Sequence, residues 1–276
     1  MDAPPEGRLT KRTRRQLVVF AVACTVVSWG LWLVAAAVGG DMTTSPAIWW
    51  FALGASGPSL AALIAFASLR DGSVPRTRVR APWLWLPLSL VLGALPAVAS
   101  ALVLDPRTFG DHAGDVLAAS GGLLLFTVTY LIAGPLAEEF GWRGYLQPRV
   151  RLAWGPIGTS VVAGSAWAVW HLPLFFLPGT GQQAMGLFTL RGLLFLVAMI
   201  PLSMTFLLLS ERLGGAVWSA ILIHFAGNAA GALLPQTSDA AAFVQLAVTT
   251  VIAGGAYLVW RRGSARLAAR PVSSRS

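Results

Sequence analysis

Residues 121–149 read GGLLLFTVTYLIAGPLAEEFGWRGYLQPR: an apolar run, two adjacent glutamates (Glu138 and Glu139), then Arg143 and Arg149. The chain has only 11 Asp plus Glu in 276 residues, so two acids side by side at the end of an apolar helix require a reason. The setting is apolar throughout. Hydrophobic residues make up 56% of the chain and charged residues 11%, and the mean hydropathy is +0.69, beyond the range of soluble domains. Runs with few or no charges begin near Leu17, Pro46, Trp83, Ala119, Pro156, Gly192, Leu213 and Ala241. Each is about twenty residues long, enough to cross a hydrocarbon core of ~30 Å. The fold class is therefore all-α, a polytopic membrane bundle of about eight transmembrane helices. The bundle spans residues 17–260, between a basic N-terminus at 1–16 and a basic, disordered tail at 261–276.

Charge orients the bundle, because Lys and Arg near helix ends stay in the cytoplasm. With the N-terminus inside, every one of the 20 Lys plus Arg except Arg107 and Arg191 falls on the cytoplasmic side. Both termini then face the cytoplasm of a multi-pass cell-membrane protein. Topology accounts for the sequence pI of about 11.3, so no nucleic-acid partner is called for. The first apolar segment ends in LVAAAVGG, as a cleaved signal peptide would. Its span exceeds a signal h-region of about 7–15 residues, which favours a retained anchor. Cys24, the only cysteine, lies within it and is read as packing. Trp49, Trp50, Trp83, Trp85, Trp154, Trp218 and Trp260 lie near helix ends, where interfacial anchors belong.

Polar groups inside lipid are expensive and mark functional sites. Glu138 and Glu139 close the fourth span, His171 lies in the fifth, and His224 and Asn228 lie in the seventh. The remaining histidine, His112, is in a polar external loop. Adjacent residues on a helix point about 100° apart, so the two glutamates cannot share one direction. Glu139 and Arg143 are four apart with the acid N-terminal, the favourable order for an ion pair. That pairing leaves Glu138 facing the other spans, unless both are ordinary interfacial charges. His224 and Asn228 are also four apart and can share a face. Pro173 frees the carbonyl of Val169 and kinks the fifth helix around His171. Trp167 and Trp170 either pack beside that imidazole or face lipid.

These residues resemble a known family. Residues 138–143 (EEFGWR) match an EExxxR motif. Trp167 to His171 match FxxxH with Trp for Phe, and His224 to Asn228 match HxxxN, in the order found in CPBP intramembrane proteases. That family, also called the CAAX-protease and bacteriocin-processing (Abi) family, includes the eukaryotic endopeptidase that trims prenylated CAAX proteins. The resemblance covers about residues 119–235. It implies an endopeptidase in which Glu138 and His171 activate water, His224 and Asn228 hold the oxyanion, and Arg143 orients Glu139. It implies no cofactor. The alternative is a zinc enzyme with Glu138, His171 and His224 as ligands and Glu139 as base, a His₂Glu set with an open position.

A function of another class also fits. Family members serve as non-proteolytic binding, scaffold or immunity proteins, and intramembrane acids and histidines also build proton relays. A transporter more often carries an internal repeat, and none is visible. The partner implied is a membrane-associated peptide or protein. The Ala- and Arg-biased composition points to a bacterial host.

Reporter fusions at Asp41, Asp111 and Ser276 test the topology. Extracytoplasmic signals at the first two and a cytoplasmic signal at Ser276 are expected; an external Ser276 would break the even span count.

Overall fold

The computed structural model describes residues 9–44, 46–69, 84–106, 109–213, 216–234 and 238–268. Among them every regular element is helical, as apolar backbone in lipid requires, since each N–H and C=O must find its partner within its own segment. The chain is a multi-pass membrane protein. Eleven helices run in order among the described residues: α1 (Lys11–Val38), α2 (Ala47–Ala55), α3 (Gly57–Leu69), α4 (Trp85–Leu104), α5 (Phe109–Ala119) and α6 (Leu123–Val150), then α7 (Pro156–Trp170), α8 (Gly181–Met185), α9 (Leu190–Arg212), α10 (Trp218–Leu233) and α11 (Asp239–Ala268).

Six of these cross a membrane by length and composition, and α2 with α3 forms a seventh candidate bent by 53°. The eighth expected span is α10. At ~1.5 Å per residue it is shorter than a ~30 Å hydrocarbon core. All eight apolar runs are therefore helical, but two are not simple crossings. Ser56 breaks the α2–α3 pair, and its hydroxyl donates back to the Ala52 carbonyl, a bond that competes with the helix ladder.

The ends also differ from the sequence expectation. α1 begins at Lys11, because the Thr10 hydroxyl accepts the Thr13 N–H at 3.1 Å and caps the helix. The Lys and Arg that come next are good helix formers. α11 continues through Ala268, so the first part of the basic tail is helical rather than disordered. Residues 1–8 and 269–276, like Trp83, lie outside the described residues. The polar loop around His112 contains the separate helix α5, anchored where the His112 ring meets the Ala232 carbonyl at 3.3 Å. Trp49 and Trp218 are exposed as anchors should be, and Cys24 is buried.

Helices meet through small residues, as in lipid, where close van der Waals contact replaces the hydrophobic effect. A Cβ on Gly93 of α4 would strike the α10 backbone at Ile223, and one on Gly164 of α7 would strike α9 at Ile200. A Cβ on Gly141 of α6 would strike the α3 backbone at Pro58. These three crossings hold α3, α4, α6, α7, α9 and α10 around the polar residues. Gly141→Ala is expected to lower the thermal midpoint of the detergent-solubilised protein by an overpacking cost of ~1–3 kcal/mol. Gly30→Ala in α1, where nothing lies within 4 Å, is the control and should be neutral or slightly stabilising.

Candidate active site

The two glutamates sit on an irregular helix. Within α6, residues Ile132–Leu136 and Trp142–Leu146 form π-helical turns, and the α-helical turn Ala137–Gly141 between them carries Glu138 and Glu139. Pro135 explains the first, because a residue without N–H inside a helix cannot continue the i→i−4 ladder. Ala133 leaves helical geometry just before it, at ψ 16°. Each π turn inserts an extra residue and rotates the next part of the helix to a new face, which is common at functional sites. The acids are thereby taken off the lipid-facing stripe of Leu124, Val128 and Ile132 and turned inward.

They face in different directions. Glu139 is fully buried; its Oε1 meets His224 Nδ1 at 2.7 Å and accepts from Arg143 Nη1 at 3.1 Å. The same Nη1 lies 3.1 Å from the second carboxylate oxygen, a charge contact without good hydrogen-bond alignment. Arg143 Nη2 donates to Ser203 Oγ at 3.2 Å, and its guanidinium lies between the Trp167 and Phe206 rings at 4.2 Å from each centroid. Such cation–π contacts contribute ~2 kcal/mol when desolvated. Glu138 instead lines a cavity of about 880 Å³, and Trp167 Nε1 donates to its Oε2 at 2.8 Å.

His171 closes α7. Pro173 does not kink a continuing α-helix as the sequence implied; the helix stops at Trp170 and Leu172–Phe176 form a 3₁₀ turn. The His171 Nδ1 lies 2.8 Å from the Trp167 carbonyl. A carbonyl only accepts, so Nδ1 carries the proton and Nε2 of the neutral ring is an acceptor. Trp170 is buried against Trp32 and donates to Ser28 Oγ at 2.7 Å, so neither tryptophan faces lipid.

Glycine 134 reveals where the groups converge. A Cβ built there would lie 3.3 Å from Asn228 Nδ2 and 3.5 Å from both Glu138 Oε1 and His224 Nε2. Three polar atoms from two helices thus surround one small space, kept open by the missing side chain. Glu138, His171, His224 and Asn228 all line the cavity, whereas Glu139 and Arg143 stand behind its wall. Asn228 is exposed into it.

Sequence reasoning missed four supporting contacts. Glu139 holds His224 as well as Arg143, Trp167 is a donor to Glu138, and Ser203 and Phe206 of α9 hold the guanidinium. The Trp-for-Phe difference in the second motif was the one visible signal, since only Trp has an N–H. Among the described residues no three of His, Cys, Asp or Glu are arranged to hold a metal ion. Glu139, held by Arg143 and His224, is not among the residues that line the cavity.

Residues 120–230 match the family model for type II CAAX prenyl endopeptidases, Rce1-like. The chain is also 28% identical over 160 residues to the CAAX prenyl protease 2 of Methanococcus maripaludis, covering 55% of this chain and 58% of that relative. It thus spans little more than half the length of the curated relative it matches. All three motifs fall inside both the matched segment and the cavity wall or its backing.

Arg143→Ala is expected to destabilise the protein by about 3 kcal/mol, because it leaves Glu139 as an uncompensated buried charge. In a Glu139→Gln background the same change should cost clearly less. Thermal unfolding of the two singles and the double gives the coupling; additive effects would mean that the pair is not an ion pair in the folded protein.

Proposed function

We propose that the chain is an intramembrane endopeptidase that hydrolyses a peptide bond in a membrane-associated peptide or protein with water activated by Glu138 and His171. The observation that carries this reading is the convergence of Glu138 Oε1, His224 Nε2 and Asn228 Nδ2 on the space above Gly134. A carboxylate and two nitrogen groups around one small cavity are what acyl transfer needs: a base for water and donors for the oxygen that becomes negative.

Trp167 holds Glu138 Oε2, so Oε1 is the oxygen left to take a proton from water. His171 Nε2 is a second acceptor that orients the same water. The water oxygen attacks the carbonyl carbon, and the carbonyl oxygen becomes an oxyanion. Asn228 Nδ2–H₂ and a protonated His224 Nε2 donate to it. Glu139 fixes the His224 ring from behind through Nδ1 at 2.7 Å and carries the opposite charge. The C–N bond then breaks, and the proton held by Glu138 passes to the leaving amine. Every donor is preorganised, so little reorganisation accompanies charge development.

The reading is metal-free. It is supported by Glu139, the base of the zinc alternative, lying outside the cavity wall. On the zinc alternative Glu139 would be the essential base and chelation would abolish activity.

Comparative proteomics of membranes from cells carrying wild-type or Glu138→Gln protein tests the proposal. At least one intact membrane peptide should accumulate with the variant, and purified wild type should cleave it with chelators having little effect. Glu139→Gln should retain part of the activity. Gly134→Ala should fold normally yet lose activity, since its methyl group occupies the space that the three polar atoms surround, 3.3 Å from Asn228 Nδ2. Zinc near one equivalent with activity tracking it, or a Glu138→Gln protein that functions as wild type, would sink the assignment.

A further inference from the structure

The cavity is one-sided. Its lining comes from α2, α8, the last turns of α1 and α7, the middle of α4, α6 as far as Glu138, the first halves of α9 and α11, α10 from Ile223 onward, and the connections around Met42–Thr43 and Gly179–Gln182. No lining residue comes from 57–92, from 139–166 or from 203–222. Traced along the chain, the contributing segments lie at one end of the bundle and reach no further than its middle at Gly93, Glu138 and Ile223. Contacts between connections agree: Met42 N–H donates to the Pro178 carbonyl at 2.9 Å, and Arg191 lies 3.8 Å from Asp239. Opposite, Arg151 meets Glu211 at 2.8 Å, and Trp260 donates to the other oxygen of the same carboxylate at 2.7 Å.

The charges divide by the same line. Arg191 lies at the mouth, Arg107 falls in the sequence between α4 and α5, and by chain order all other Lys and Arg belong to segments of the opposite half. The bias in Lys and Arg sets orientation across a membrane, so the closed end faces the cytoplasm and the mouth faces away from it.

We infer that this site takes its substrate from the extracytoplasmic side: a peptide, or a segment of an exported or membrane-anchored protein, that reaches Glu138 through the mouth between the Thr43 and Gln182 connections. The inference rests on the endopeptidase reading for the word substrate, but its geometry does not. The walls suit an apolar stretch of chain, because Trp32, Phe51, Leu194 and Phe195 line them while Thr43 and Gln182 line the rim. The volume of about 880 Å³ falls within the ~300–1,000 Å³ of pockets that enclose ligands. The water that hydrolysis consumes enters by the same route. A prenylated segment presented in the cytoplasm would meet the closed end.

The test uses the full-length protein in its membrane and needs no turnover. Cys24 is buried and is replaced by Ala, and single cysteines are introduced at Thr43, Ala198 and Arg261. Thr43 is at the rim and Ala198 is in the wall, while Arg261 is exposed at the far end. A sulfonated, membrane-impermeant maleimide is applied to intact spheroplasts and to inverted vesicles. Thr43→Cys and Ala198→Cys should be labelled in spheroplasts, and Arg261→Cys only in inverted vesicles. Labelling of Ala198→Cys from the Arg261 side, or from neither side, would overturn the inference. If the labelling is as expected and no hydrolysis is found, the access route stands and the endopeptidase reading fails. If Glu138-dependent hydrolysis is found with reversed labelling, the endopeptidase reading stands and the access route fails.

Discussion

The buried ion pair between Glu139 and Arg143 organises this bundle. Two full charges without water are tolerable only when each has partners, since burial of an unpaired ion costs several kcal/mol. The carboxylate meets that demand with Arg143 and His224, and the guanidinium meets it with Ser203 and the faces of Trp167 and Phe206. Those partners come from α7, α9 and α10. A single charged centre on α6 therefore gathers three other helices, and the Glu139–His224 contact fixes the ring whose other nitrogen faces the cavity. Trp167 stacks on Arg143 and also donates to Glu138, so the same residue joins the supporting layer to the reactive one.

Much of this was visible in the residues alone. Eight apolar runs, charge asymmetry and five intramembrane polar groups pointed to a helical membrane protein with a site on three helices. The separation of Glu138 from Glu139 came from the helical angle and from the four-residue spacing to Arg143. In these cases the signal is local: a period, a spacing, or a polar side chain where lipid forbids one.

The features that the sequence hid depend on contacts distant along the chain. Two π turns change the phase of α6, and no residue pattern announces them except Pro135. Phe206 and Ser203 look like ordinary members of a membrane helix, and only the approach of α9 to α6 makes them partners of a cation. The 53° break at Ser56 and the early end of α7 arise from competition between local hydrogen bonds and the helix ladder, which a hydropathy reading averages away. Gly134 is the extreme case. Its contribution is an absent side chain, and its meaning appears only when Asn228 and His224 stand opposite.

A cavity that admits water to the middle of a bilayer carries a risk for the cell, because the membrane sustains an electrical potential worth ~2.3 kcal/mol per elementary charge per 100 mV. In this bundle the cavity stops at the level of Glu138. Beyond it Tyr145, Gln147, Arg149 and Val150 are buried, and the Glu139–Arg143 pair stands directly behind the cavity wall. The packed layer behind Glu138 thus closes one end of the cavity, and a space that opens to water on one side does not run through the bundle.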